Sequence, residues 1–177
     1  MKSMVTGVSL LLALGVAVAV IRGGTGPNEP VGRPAPEITS DTWLNAPPQS
    51  IAKLKGRVVL VEFWTFGCYN CRNVEPHVKA WHDRYSASGL TVIGVHAPEF
   101  PHEAKLEALK KYVEENHIRY AVAVDNDLAN WTRYDNQYWP AIYLIDKKGV
   151  VRHLKIGEGD YDDTERRIRE LLGEAGS

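Results

Sequence analysis

The sequence predicts an α/β fold, with a central mixed β-sheet flanked by helices. Three observations predict it. Val58-Val59-Leu60-Val61-Glu62-Phe63-Trp64 is an apolar run of strand length. The segment from Tyr69 to Tyr85 places Val74, Val78, Trp81 and Tyr85 at helical spacing. Further short apolar runs then alternate with amphipathic segments, the pattern that builds layered sheet-and-helix domains.

Taken in order, residues 1–22 come first. Lys2 precedes an uncharged run from Val5 to Ile21. As a helix that run would span about 26 Å, slightly less than the bilayer core of about 30 Å. It reads as a signal peptide or a signal-anchor. Ala17-Val18-Ala19 fits a cleavage site, but the long apolar run and the immediate Arg22 favour an uncleaved anchor. Residues 23–34, rich in Gly and Pro, read as a flexible linker. Residues 35–174 then form one domain.

Within that domain, Ala35–Ile38 and Ser40–Asn45 form an N-terminal extension. Ser50 caps a short helix through Leu54, and Gly56 ends it before the strand Val58–Trp64. The helix Tyr69–Tyr85 continues past Pro76, which removes one hydrogen bond and kinks it. Leu90–Val95 is a strand, and His102–Asn116 is a helix with Leu106, Leu109 and Val113 on one face. Ala121–Val124 is a short strand. Asp127–Tyr134 is a helical turn capped by Asn126 or Asp127. Ala141–Ile145 and Val150–Ile156 are strands joined by the turn Asp146-Lys147-Lys148-Gly149. Asp163–Leu172 is the closing amphipathic helix.

Charge excludes one class of partner. Lys and Arg number 21 against 22 Asp and Glu, the signs are mixed, and no basic block occurs, so nucleic acid is not a partner. Cysteine usage points to a chemistry. Cys68 and Cys71 are the only two cysteines, and they sit where the strand feeds the helix. The attacking species in disulfide exchange is a thiolate, and helix N-terminal N–H groups stabilise an anion. Cys68 stands at that end, which predicts a depressed pKa and the role of nucleophile. Cys71 lies one turn on, on the same face, placed to resolve a mixed disulfide.

Other uses of the pair fit less well. A disulfide closing so short a loop stabilises by only about 2 kcal/mol, a weak staple. Zinc takes four ligands, and there is no second cysteine pair. The six histidines form no His-x-x-x-His pair and read as surface or satisfied residues, so no metal site is assigned. Thiolates do favour Cu(I), which leaves a thiol-based copper chaperone as the alternative from another class. Thr65-Phe66-Gly67-Cys68 also satisfies the Thr-x-x-Cys part of a peroxidase pattern, but Val61 stands where that pattern has proline.

Several blocks in one order carry a resemblance to the thioredoxin superfamily. They are Trp64-Thr65-Phe66-Gly67-Cys68-Tyr69-Asn70-Cys71, Val92–Phe100, Tyr138-Trp139-Pro140-Ala141 and Gly157-Glu158-Gly159-Asp160-Tyr161. The chain resembles the TlpA-like thiol–disulfide oxidoreductases, and most of all the thioredoxin-like domain of DipZ-type proteins. The resemblance implies a thioredoxin-like fold of the redoxin type, with an N-terminal extension and a central helix–strand insertion.

It also implies a site. Cys68, Cys71 and Glu62 would be catalytic, with Glu62 taking the proton of Cys71 from beneath the helix. Pro140 would be cis and, with Trp139 and Phe66, would hold an extended substrate. Tyr69, Asn70 and Glu99 would tune the potential. The cofactor is none beyond a redox-active Cys68–Cys71 disulfide. Partners are cysteine-containing protein substrates, a membrane thiol-electron donor, and the membrane itself through residues 5–21. The implied location is the bacterial cell envelope, outside the cytoplasm. Val74 stands where the TlpA-like group often has Glu, which counts against a role in cytochrome c maturation.

Overall fold

The computed structural model describes residues 30–173. The strands are β1 (Trp43–Leu44), β2 (Val58–Trp64), β3 (Leu90–His96), β4 (Ala121–Val124), β5 (Ala141–Ile145) and β6 (Val151–Ile156). The helices are α1 (Tyr69–Tyr85), α2 (Leu106–Glu115), α3 (Ala129–Arg133) and α4 (Tyr161–Gly173). One six-stranded sheet runs in the order β1-β4-β3-β2-β5-β6. β2, β3 and β4 are parallel; β5, β6 and β1 run antiparallel to their neighbours. The expected mixed sheet flanked by helices is therefore present.

Strand alternation divides the core in two. Val58, Leu60 and Trp64 face α1, α2 and α4, packing with Cys71, Val74, Val78, Trp81, Leu109 and Ile168. Val59, Val61 and Phe63 face the opposite layer, with Ile38, Tyr134, Tyr143 and Val151. All seven residues of β2 are buried, which explains a continuous apolar run rather than an alternating one.

Register places one end of the sheet at the site. Trp64 pairs with His96, His96 with Val124, Phe63 with Ala141, and Ala141 with Ile156. The Cys68 loop, the loop after β3, the entry to β5 and the exit of β6 thus share that end. In open α/β sheets this is where ligand sites form.

Several local expectations need correction. α2 begins at Leu106, not His102, because residues 101–104 turn and Glu103 folds back onto the preceding backbone. The cap of α3 is shared differently. Asp127 accepts the Ala129 N–H, but the buried Asp125 carboxylate accepts those of Asn130 and Trp131. The short 3-10 turn Ala52–Leu54 is held by Glu37 as well as Ser50: the Glu37 carboxylate accepts the N–H groups of Ile51 and Ala52. Residues 30–34, expected as linker, are bound along β6: Gly32 N–H donates to Val151 O at 2.7 Å and Val151 N–H to Arg33 O at 2.9 Å. The expected membrane segment 5–21 lies outside the described residues. Among those described, no helix is long and apolar enough to cross a membrane.

Candidate active site

β2 ends in the core, Thr65–Gly67 turn, and α1 starts at Tyr69 with Cys68 as its N-cap. Cys68 and Cys71 are joined in a disulfide, with Cα atoms 5.2 Å apart. Cys68 Sγ also accepts the Cys71 backbone N–H at 3.1 Å. That bond uses one of the unpaired N–H groups of a helix start, and it would favour a thiolate at Cys68 in the reduced form. The two sulfurs differ in access. Cys68 is partly exposed, whereas Cys71 is 2% exposed and packs into the core. An incoming sulfur can reach Cys68, and Cys71 is left to act from within.

Glu62 lies on the α1-facing side of β2 and is 2% exposed. Burial pushes its pKa up to about 8, the negative charge of Glu75 adds to the rise, and a hydrogen bond from the Tyr120 hydroxyl opposes it. A carboxyl poised near neutrality can exchange protons during thiol chemistry. Three of its neighbours were not singled out from the sequence. Glu75 is buried on the inner face of α1, accepting from Lys79 Nζ and the Tyr112 hydroxyl at 2.8 Å each. Tyr120 is buried just before β4, and Gly94 pairs with Glu62 across the sheet. A Cβ on Gly94 would sit 2.7 Å from Trp64 Nε1 and 3.0 Å from Tyr120 Cε2. Gly94 therefore gives up the space that the two rings occupy. Glycine inside an apolar strand is the sequence signal for such close approach. Glu75 repeats at helical spacing with Cys71 and Val78, a signal for burial on that face.

Pro140 is buried, follows a cis peptide bond and precedes β5. Trp139 is half-buried, stacks near Trp131 at 4.1 Å and donates its indole N–H to Ala97 O, joining the entry of β5 to the end of β3. Phe66 is half-buried between His96 and Tyr112, at 5.5 and 5.6 Å. Tyr69 and Asn70 are exposed, and so is Glu99. The large exposed apolar groups at this end are Tyr69, Phe100, Tyr138 and Ile156.

The histidines were expected at the surface or satisfied, and His96 is neither. It is wholly buried, Nε2 lies 3.3 Å from Thr65 Oγ1, and Nδ1 has no partner. Burial pushes its pKa down to about 4, against the pull of Glu103's charge, so it is neutral at ordinary pH. Sequence reasoning also missed Glu103, which is 1% exposed.

A sheet of this order, with a dithiol at the start of α1 and proline at the entry of β5, defines the thioredoxin-like class. A model of the AhpC/TSA family matches residues 31–154, and the chain belongs to that family. Protein DipZ of Mycobacterium tuberculosis is 48% identical over 145 residues, covering 80% of this chain and 21% of DipZ. The chain thus spans about a fifth of that relative's length. The thiol-disulfide oxidoreductase YkuV of Bacillus subtilis is 30% identical over 143 residues, covering 80% of this chain and 96% of YkuV. A solution structure of a thioredoxin-like protein in the oxidised form superposes with a TM-score of 0.73 at 31% identity, covering 81% of this chain and 97% of that one. The resemblance to TlpA-like thiol–disulfide oxidoreductases holds.

Proposed function

We propose that this chain is an extracytoplasmic thiol–disulfide oxidoreductase that works as a reductase of cysteine-containing proteins. The observation that carries the reading is the asymmetry of the pair. Cys68 is reachable and capped by a helix N–H, while Cys71 is buried on the face that holds Glu62. In the reduced protein the Cys68 thiolate attacks a substrate disulfide, forms a mixed disulfide and expels one substrate thiolate. Cys71 passes its proton to Glu62 in its ionised form, attacks Cys68 Sγ, closes the Cys68–Cys71 disulfide and expels the second thiolate. Two electrons reach the substrate, and a membrane thiol donor restores the dithiol. Trp139, Pro140 and Phe66 line the side from which an extended substrate approaches, and Tyr69, Asn70 and Glu99 act on the potential.

Thr65 supports dithiol exchange over peroxidase chemistry, because its buried hydroxyl pairs with His96. The uncharged run of residues 5–21 supports export and anchoring. Cys71→Ser tests the mechanism. With a disulfide-bonded peptide it should accumulate a covalent adduct at Cys68 that the wild type releases; no adduct would sink the reading. A phosphatase reporter fused after residue 34 should be active only outside the cytoplasm, and an inactive fusion contradicts export.

A further inference from the structure

The loop from β3 to α2 carries a carboxylate that the mechanism above does not use. Glu103 is buried at 1% exposure, although it lies in a surface turn. Its Oε2 accepts the N–H of Glu99 at 2.7 Å and of Phe100 at 3.1 Å. Those two bonds fix the side chain. Its Oε1 is buried without a hydrogen-bond partner. That oxygen occupies the place a side chain on Gly67 would need: a Cβ there would fall 1.7 Å from it. Gly67 directly precedes Cys68. A buried polar atom with no partner costs on the order of 1–3 kcal/mol, so its retention calls for a reason.

We propose that Glu103 is a positioning residue for the dithiol: it pins the β3–α2 loop against Gly67 and holds its free carboxylate oxygen beside Cys68, biasing the couple toward the disulfide. The inference rests on the oxidoreductase reading and deepens it. The start of α1 favours negative charge on Cys68, and a fixed anion one residue away opposes it. The two influences act on the same sulfur with opposite signs. Destabilising the thiolate weakens the reduced form and makes the protein a stronger reductant. His96 on β3 is neutral above pH about 4. The exposed His102 and Glu99 share the loop with Glu103, and Arg72 on α1 lies over the Tyr69 ring at 6.0 Å.

Glu103→Gln separates charge from position, because the amide keeps the shape and one acceptor for the loop. The glutathione equilibrium constant should shift about tenfold toward the dithiol, or about 30 mV for this two-electron couple. The pKa of Cys68 read from the pH profile of alkylation should fall by about one unit, the same tenfold change. Glu115→Gln, which removes an exposed charge from α2, should change neither by more than about twofold, given screening at the surface. If Glu103→Gln also stays within about twofold of wild type, or shifts toward the disulfide, the proposal is overturned. Glu103→Asp keeps the charge but withdraws it by one methylene, so a smaller shift of the same sign is expected even if the Gln variant folds poorly. A wild type with no reversible couple would instead overturn the oxidoreductase reading itself.

Discussion

Glu62→Gln removes a buried acid whose ionisation the fold opposes. In the native protein Glu62 titrates at about 8, against an ordinary value of 4.5. Between those values the native state holds a proton that the unfolded state has released, so Glu62 takes stability away as pH rises. The loss is absent below the unfolded pKa and complete above the folded one. Each unit is worth about 1.4 kcal/mol, so the whole shift corresponds to about 5 kcal/mol, of which about 4 falls between pH 5 and 8.5. Gln cannot ionise, so the variant escapes this loss. Urea denaturation of both proteins, disulfide intact, at pH 5 and 8.5 reads the effect, and groups common to both cancel. The stability difference should move by about 4 kcal/mol in favour of Glu62→Gln at the higher pH. A difference constant to within about 1 kcal/mol would refute the raised pKa and the proton role built on it.

Other substitutions probe the surroundings of that acid and the loops at the site. Tyr120→Phe removes the hydrogen bond that holds Glu62 down, so the pH dependence just described should move to higher pH; an unmoved profile would show the bond is unimportant. Gly94→Ala puts a methyl against Trp64 and Tyr120, and thermal or urea unfolding should show a loss of about 1–3 kcal/mol. Asp125→Ala leaves the backbone N–H groups of Asn130 and Trp131 without their acceptor and takes one of two acceptors from the Asn130 side-chain amide, which keeps Thr39 O; it should cost about 3 kcal/mol by the same assay.

Much of this molecule was legible because its signals are local. β2 and α1 have the bounds that an apolar run and a helical repeat indicated, and the strands Ala121–Val124 and Ala141–Ile145 likewise. The dithiol could be read from the junction between them. The rest depends on contacts between distant segments. Glu37 holds a turn fourteen residues on, and Glu103 takes apart what would have been the first turn of a helix. Their chemistry is visible in the sequence, but their partners are not. Glu75 and Gly94 fall between: the helical spacing of one with Cys71 and Val78, and the strand position of the other, are signals present in the sequence that sequence reasoning did not use. Neither signal named Tyr120 as the residue that joins them to Glu62. His96 follows the apolar run Leu90–Val95 in the sequence, and only the fold shows that it completes the strand and that the aromatic rings of Trp64 and Phe66 enclose it.

The central claim is that Cys68 and Cys71 form a working two-electron couple. Equilibrating the protein with dithiothreitol or glutathione and counting the dithiol fraction measures it directly. A reversible couple near thioredoxin's, about −270 mV, is the predicted result for a reductase. A value near about −120 mV would reverse the proposed direction of electron flow. Failure to find any reversible couple would contradict the account and move the Cu(I)-binding alternative ahead of it.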